Sequence, residues 1–330
     1  MPRLLKLFLV VCVLVTIAYL AGPHPATPIF SSQLPEMPSS MSGIEAAVNF
    51  EEFRHPIKKN NEARIVWTND STSPQKTPYA IVYLHGFSAS QEEGNPVHRN
   101  IAKTFGCNLY LSRLADHGLD TTDALIQLSA DALWESAKKA YAIGKTIGHK
   151  VILMGTSTGA SLALQLAATY PDIAGVVLIS PNIQINNPNA WLLNNPWGLY
   201  IARQVQHADF ITAKSNTDAY KQYWYYQYRL EGAVALQEYL ETAMVPATFA
   251  RIKRPTLCLY YYKDEANQDP IVKVSAMKEM FAQLATPEAQ KKMVAVPNAN
   301  NHVLCSPIQS NDIETPQQAI TSFLQQVIQK

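Results

Sequence analysis

A short stretch of apolar and small residues, 151–161, constrains the fold of this chain more than any other. It reads VILMGTSTGAS, and its apolar first half is typical of a buried strand, while residues 162–168 are typical of a helix. Ser157 lies between the two in a Gly-x-Ser-x-Gly frame. A turn this tight admits only small residues two positions before and two after the serine, and Gly155 and Gly159 meet that demand. The pattern predicts that Ser157 stands clear of a sheet, at the N-terminus of a helix.

Ser157 in such a turn is a candidate nucleophile, and the partners that it needs occur downstream in the required order. His302 lies in a loop after the last predicted strand, where one ring nitrogen can reach the serine. Asp264 and Asp269 both follow the preceding strand. We favour Asp269 as the acid because Asp-Pro-Ile-Val followed by a helix resembles the usual acid loop. Asp264 stays open as the alternative, since the five-residue offset between the two aspartates departs from the common pattern.

A second motif, His85-Gly86-Phe87-Ser88, directly follows a predicted buried strand. Backbone N–H groups in such a loop stabilise developing negative charge on an oxygen. We expect the N–H groups of Phe87 and Thr158 to form this oxyanion hole. His85 is expected to brace the loop rather than to act as acid or base.

The remaining pattern alternates strands and helices, which predicts a parallel sheet with crossover helices. Expected strands cover residues 63–69, 79–84, 108–111, 151–156, 174–179, 256–262 and 293–297. Expected helices cover residues 44–53, 95–105, 123–147, 162–168, 274–284 and 313–328.

Charge and cysteine usage exclude several function classes. The formal net charge is +1 with 16% charged residues and no dense basic cluster, so nucleic acid is not an expected partner. The four cysteines have neither the spacing of a metal site nor that of a disulfide framework. Cys107 and Cys258 fall in strand-like runs and are expected to be small buried side chains. No metal or cofactor is expected.

The N-terminus predicts a membrane-targeting segment, because Arg3 and Lys6 precede a long apolar run within residues 1–21. The small residues that a cleavage site needs are poorly placed, which favours a retained anchor over a cleaved signal. Basic residues ahead of the apolar run predict export of the rest, to a periplasmic or other extracytoplasmic space, or secretion if the segment is cleaved. Residues 22–60 contain a proline- and serine-rich part that indicates an extended tether rather than packed structure.

The alternation breaks down over residues 183–253, which we interpret as a helical lid inserted between two parts of a core, residues 61–182 and 254–330. The inserted segment concentrates aromatic residues that predict a small core of its own and an apolar inner surface: Trp191, Trp197, Tyr200, Phe210, Tyr220, Tyr223, Trp224, Tyr225, Tyr226 and Tyr228.

With Ser157, Asp269 and His302 in that order, the chain from about residue 63 onward resembles the α/β-hydrolase superfamily. The His85-Gly86-Phe87-Ser88 loop, the serine motif and the lid position are similar to the branch of monoacylglycerol lipases and carboxylesterases. The resemblance implies an eight-stranded, mostly parallel sheet flanked by helices, with a helical lid. It also implies hydrolysis of a small-molecule ester, with an apolar acyl group, without a cofactor.

Other readings remain open at this stage. A thioesterase and an amidase or peptidase would use the same triad, and a catalytically silent, membrane-tethered binding protein would keep the same pocket. Dehalogenases and epoxide hydrolases of this fold are disfavoured, because they need an aspartate where the chain has Ser157. Acyl length, alcohol group and oligomeric state are not readable from the sequence.

Overall fold

A sheet of seven strands runs through the structure, a computed structural model that describes residues 3–68 and 71–328. The strands are β1 Arg64–Val66, β2 Thr77–Leu84, β3 Asn108–Leu111, β4 Gly148–Thr156, β5 Gly175–Ile179, β6 Phe210–Thr212, β7 Gln227–Arg229, β8 Thr256–Tyr260 and β9 Lys291–Ala295, of which β6 and β7 form a separate pair. The helices are α1 Arg3–Leu20, α2 Met41–Phe53, α3 Val97–Thr104, α4 Ala130–Ile147, α5 Thr158–Thr169, α6 Gly198–Gln206, α7 Asp218–Tyr223, α8 Leu230–Ala243, α9 Pro246–Phe249, α10 Val274–Gln283 and α11 Glu314–Ile328.

The strand order in the main sheet is β1-β3-β2-β4-β5-β8-β9, and every pairing is parallel except that of β1 with β3. This confirms the predicted mostly parallel sheet flanked by helices. The predicted eighth strand is absent from the described part of the chain. The expected strand over residues 63–69 is only three residues long and lies at the sheet edge. The chain before it forms α2 and an irregular segment instead of a further strand.

Alternate residues along the central strands supply two separate cores, one on each face of the sheet. Val82 and Leu84 of β2 pack with α4, α5 and α8 in one core. Ile81 and Tyr83 of the same strand pack with α3 and α11 in the other. Because both faces are covered, β4 and β5 are buried almost throughout, which explains their unbroken apolar sequences.

The long helix predicted over residues 123–147 is wrong over residues 123–129, because α4 begins only at Ala130. Ser129 adopts an extended conformation, and its hydroxyl accepts a hydrogen bond from Ala132 N at 3.1 Å. It therefore caps the helix and fixes its start. Leu125 has a positive φ of 64°, which interrupts any helix through that point.

The proline-rich stretch after α1 lacks regular secondary structure but is packed, contrary to the expected tether. We call residues 22–40 the strap. Trp134 Nε1 donates to Ser31 O at 2.7 Å, and Lys138 Nζ donates to Gln33 O at 2.7 Å. The Phe30 ring makes edge contacts with Trp134 and with the Tyr239 ring of α8. The strap is thus bound along α4 and joins the main core.

Residues 183–253 leave the sheet after β5 and return to it before β8. They contain α6 to α9, as the predicted helical insertion requires, and also the antiparallel pair β6–β7, which the sequence analysis did not anticipate. Trp224 and Tyr225 of this insertion are buried, whereas Trp191 and Tyr200 are about half exposed.

The N-terminal helix α1 has no buried residue and a mean hydropathy of 2.3. Its 18 residues span about 27 Å, which is long and apolar enough to cross a membrane. Trp197 connects the end of this helix to the insertion, since its Nε1 donates to Ala18 O at 2.9 Å.

Candidate active site

Ser157 occupies the sharp turn between β4 and α5, as the glycine frame predicts. Its φ and ψ are 55° and −118°, an unfavourable combination for a residue with a side chain. The flanking glycines permit it. A Cβ on Gly155 would lie 2.4 Å from Gly159 O, and a Cβ on Gly159 would lie 2.0 Å from Leu84 O. The turn is therefore pressed against the end of β2, and any larger residue at either position would force it apart.

Asp269 and His302, far apart in sequence, meet at the carboxyl ends of β8 and β9. His302 Nδ1 donates to Asp269 Oδ2 at 2.6 Å. The other carboxylate oxygen accepts from the backbone N–H groups of Ile271 and Val272, at 2.9 and 3.1 Å. Both side chains are buried. The carboxylate therefore fixes the tautomer and the orientation of the imidazole.

The second nitrogen of His302, Nε2, is buried without a hydrogen-bond partner among the described residues. The backbone positions it next to the serine turn: Ser180 Oγ donates to His302 O at 2.7 Å, and Ser157 N donates to Ile179 O at 2.8 Å. Burial acts to lower the pKa of His302, but the charge and hydrogen bond of Asp269, with a smaller contribution from the Glu93 charge, raise it above its usual value. The ring is thus a base whose proton-accepting atom is not engaged.

Asp264, the alternative acid, lies elsewhere. Its carboxylate is exposed and accepts hydrogen bonds from Asn267 and from the Ala266 N–H, within a tight turn after β8. Hydrogen bonds from Asn267 lower its pKa. The structure brings Asp269 to His302 and leaves Asp264 as a turn residue.

The loop after β2 holds its peptide groups in a defined orientation. Gly86 O accepts from His85 Nδ1 at 2.8 Å and from Ala89 N at 3.3 Å. Because a trans peptide points its carbonyl and its N–H in opposite directions, the Phe87 N–H points away from these donors. Within the described residues, the Phe87 and Thr158 N–H groups have no acceptor, and Gly86 packs against Ser157.

His85 and His117 brace this loop as neutral rings. His85 Nε2 accepts from Leu114 N, and His117 Nε2 accepts from Ser88 N, both at 3.0 Å. Burial and the neighbouring His117 hold the pKa of His85 well below its usual range, and burial lowers the pKa of His117 to about 4. The sequence analysis expected a bracing role for His85 but did not identify His117, which no motif marks.

Sequence reasoning also missed Glu93, a carboxylate only 3% exposed that contacts the same loop. In the sequence it belongs to Gln91-Glu92-Glu93-Gly94, which looks like an ordinary charged surface turn. Only its position in the fold distinguishes it from Glu92.

Other groups with potential binding chemistry lie away from Ser157. Within residues 3–68 and 71–328, no group of three or more His, Cys, Asp or Glu side chains is arranged to hold a metal ion. Cys107 and Cys258 are free and buried, as predicted. Two cavities, of about 370 and 300 Å³, border α8 on the insertion, and neither is lined by Ser157 or His302.

The fold and this arrangement define the class: the protein is an α/β-hydrolase. Residues 125–301 match the family described as serine aminopeptidase S33. That match covers more than half of the chain, so the chain belongs to this hydrolase family. The resemblance to lipases and esterases of the superfamily is likewise confirmed by the relatives below.

A curated relative, the thermostable monoacylglycerol lipase of Bacillus sp. (strain H-257), is 30% identical over 108 residues. The match covers 33% of this chain and 42% of the relative, so the chain matches less than half of that enzyme's length. One similar solved structure comes from work on LipS and LipT, two metagenome-derived lipolytic enzymes. It gives a TM-score of 0.65 at 16% identity, and the match covers 82% of this chain and 99% of the other. A soluble variant of monoglyceride lipase from Saccharomyces cerevisiae gives a TM-score of 0.57 at 12% identity, covering 92% and 99%. These similarities between structures establish the fold.

Proposed function

We propose that this protein is a serine esterase that cleaves carboxylic esters through Ser157, His302 and Asp269. One observation carries the proposal. A buried imidazole, oriented by a carboxylate at 2.6 Å, keeps its second nitrogen free, and Ser180, which bonds to the His302 backbone, directly follows the Ile179 carbonyl that holds the strained turn at Ser157. The hydrolase family and the lipase and esterase relatives support the reaction class.

The mechanism follows from the groups present. Ser157 Oγ attacks the ester carbonyl carbon while its proton passes to His302 Nε2, and the resulting imidazolium is stabilised by Asp269. The Phe87 and Thr158 N–H groups bind the oxyanion. His302 then gives the proton to the departing alcohol. Water repeats the attack on the acyl-enzyme and regenerates Ser157.

We propose that residues 183–253 act as the lid of this site, between core parts 61–182 and 254–330. Support comes from aromatic contacts between the insertion and the loop after β2. The Tyr228 ring packs edge-on against Phe87 at 5.1 Å, and Trp224 forms a buried cluster with Ala89 and Val303. An apolar surface of this kind favours an apolar acyl group over a charged one.

We propose that α1 is a retained membrane anchor, with the hydrolase body on the exported side. Its length, its exposure and the basic Arg3 at its start support this, and they are equally compatible with a signal peptide that is removed. The two cases give different mature N-termini. Intact mass of the membrane-isolated protein decides between them, and a mature start near Gly22 would exclude the anchor.

Hydrolysis of p-nitrophenyl esters of increasing acyl length tests the esterase proposal, with the full chain in a mild detergent. Ser157→Ala and His302→Ala should each lower kcat by roughly 10⁴ to 10⁶. Ser161→Ala is the matched control, a buried serine one turn further along α5. It should retain activity within about tenfold, as expected of a residue outside the triad.

Parallel assays separate the alternatives. Activity confined to acyl-CoA thioesters would show that the protein is a thioesterase. Activity confined to aminoacyl-p-nitroanilides would show that it is a peptidase. A folded wild type that neither turns over any of these substrates nor reacts with a fluorophosphonate probe would identify a silent binding protein.

A further inference from the structure

Glu93 is a buried carboxylate that the mechanism above does not use. It lies in the short 3₁₀ turn Gln91–Gly94 that follows the loop carrying Phe87, and it is 3% exposed. Removing a charged group from water is costly unless it is bonded or paired. Such a residue therefore has partners in the fold that account for its burial.

Its first partner is the loop itself. Glu93 Oε2 accepts a hydrogen bond from Gly86 N at 2.6 Å, the short distance typical of an ionised acceptor. A Cβ on Gly86 would lie 2.9 Å from that oxygen and 3.0 Å from Ser157 Cβ. The carboxylate and the serine thus pack against the same glycine.

Its second partner is the proposed lid. The Trp224 side chain acts to lower the pKa of Glu93 and so favours its charged form, and Trp224 packs with Ala89 and Val303, the neighbour of His302. One carboxylate therefore connects the loop after β2, the insertion and the surroundings of His302.

Its third partner is His302, on which it acts through charge. Burial raises the pKa of Glu93 to about 7, although the Gly86 N–H bond, the charge of His302 and the Trp224 side chain oppose the rise. The Glu93 charge in turn helps to raise the pKa of His302. The charge of each group therefore depends on the protonation of the other.

The other titratable side chains that face Glu93 are Tyr83 from β2, Tyr220 from α7 and Cys305 after β9. Burial raises the pKa of each well above neutrality, to about 12 for Tyr220, so all three are uncharged between pH 5 and 9. Over that range the charge state of this cluster is set by Glu93 and His302.

We propose that Glu93 is a second positioning carboxylate of the site: it holds the oxyanion loop through Gly86 N–H, and its negative charge stabilises the His302 imidazolium that forms during acyl transfer. The proposal rests on the esterase mechanism given above. Asp269 orients the His302 ring through a direct hydrogen bond. Glu93 acts on that ring through the electrostatic field of its charge and on the oxyanion loop through Gly86 N–H. It exchanges no proton with the substrate, since the serine proton passes to His302 and then to the leaving alcohol.

Two substitutions separate the two roles. Glu93→Gln keeps an acceptor for Gly86 N–H but removes the charge, so the acid limb of the kcat/KM profile should move to lower pH by roughly half to one unit. Glu93→Ala removes the acceptor as well, so kcat should fall on the order of 10² with little change in KM, because the oxyanion donor is displaced. Glu92→Gln is the matched control, since that carboxylate bonds to Asn95 outside the site.

The charge effect is measured independently of turnover. In the full chain labelled with ¹³C-histidine, the NMR titration of His302 should show a lower pKa in Glu93→Gln than in the wild type and no change in Glu92→Gln. Should Glu93→Gln fail to fold by near-ultraviolet circular dichroism, Trp224→Phe removes the indole N–H that favours the charged form of Glu93 and should move the His302 titration in the same direction, by less.

Unchanged His302 titration and unchanged kcat/KM profiles in the folded variants would overturn the proposal and leave Glu93 a structural residue. An inactive wild type in which His302 still shifts on Glu93→Gln would refute the esterase function while supporting the electrostatic coupling. The two failures are therefore distinct.

Discussion

Replacing Asp269 by asparagine tests the assignment of the triad acid, because the asparagine amide cannot satisfy all of the bonds that the carboxylate accepts. In the structure, one oxygen accepts from His302 Nδ1, and the other accepts from the N–H groups of Ile271 and Val272. Asparagine has one acceptor oxygen and one donor NH₂. If the oxygen stays on the two backbone donors, the NH₂ faces Nδ1 and selects the tautomer that carries its proton on Nε2. That tautomer cannot accept the proton of Ser157.

The structure also gives the size of the effect. The productive orientation turns the NH₂ toward two backbone N–H donors and leaves them unsatisfied, which costs about 1–3 kcal/mol each, or about 2–6 kcal/mol in total. That range corresponds to a rate loss between about 30-fold and 10⁴-fold. The loss of the charge that stabilises the imidazolium adds to it, so we expect kcat/KM to fall by roughly 10³ to 10⁴.

The assay is p-nitrophenyl ester hydrolysis by wild type, Asp269→Asn and Asp264→Asn, with thermal unfolding of each as a check on folding. Asp264→Asn should retain activity within about twofold, as for other exposed turn residues. The reasoning is refuted if folded Asp269→Asn keeps more than about a tenth of the wild-type rate. It is equally refuted if Asp264→Asn falls as far as Asp269→Asn.

Three further outcomes follow from the same structure. Gly159→Ala places a methyl group 2.0 Å from Leu84 O and should destabilise the fold by about 3 kcal/mol in denaturant unfolding, and an unchanged midpoint would contradict the tight turn. Phe30→Ala removes a ring packed on Trp134 and Tyr239 and should cost about 2–3 kcal/mol, whereas a free tether would show no loss. Glu93 has a folded pKa of about 7, above its usual 4.5, so wild-type stability should fall as pH rises between these values and then level off. Thermal unfolding across that range should show the slope in wild type and not in Glu93→Gln.

The sheet was predictable, and the residues of the proposed triad could be selected from the sequence, because both depend on local patterns. The unbroken apolar runs of β4 and β5 reflect a sheet covered on both faces. The two glycines around Ser157 are required by backbone contacts of 2.0 and 2.4 Å, so the sequence has to show them. His302 follows the last strand at the sheet edge where parallel strands place their carboxyl ends.

The structural features that the sequence does not predict depend on contacts between distant segments. The start of α4 is set by a single serine cap, and an amphipathic pattern that runs on before Ser129 hides it. Glu93 and Glu92 are indistinguishable as sequence, because only the packing of Trp224 and Gly86 buries one of them. The sequence favours Asp269 over Asp264 but leaves both open, and only the fold brings Asp269 to His302 while the turn that Asn267 forms with Asp264 keeps the latter carboxylate in solvent.

The packed strap also sets how far the hydrolase body reaches from its anchor. Trp197 N donates to Pro23 O at 3.0 Å, and Ile29 N donates to Asp131 Oδ1 at 2.7 Å, so the strap is bound to the body within nine positions of the end of α1 at Leu20. Fully extended, those residues span about 30 Å. A retained α1 would therefore confine catalysis to a thin layer at the membrane surface, and esters carried by vesicles holding the protein should be cleaved while the same esters on separate vesicles are not. Proteolysis between Ala21 and Ile29, together with release of Trp197 from Ala18 and Pro23, would lift that restriction and turn a surface-bound enzyme into a diffusible one.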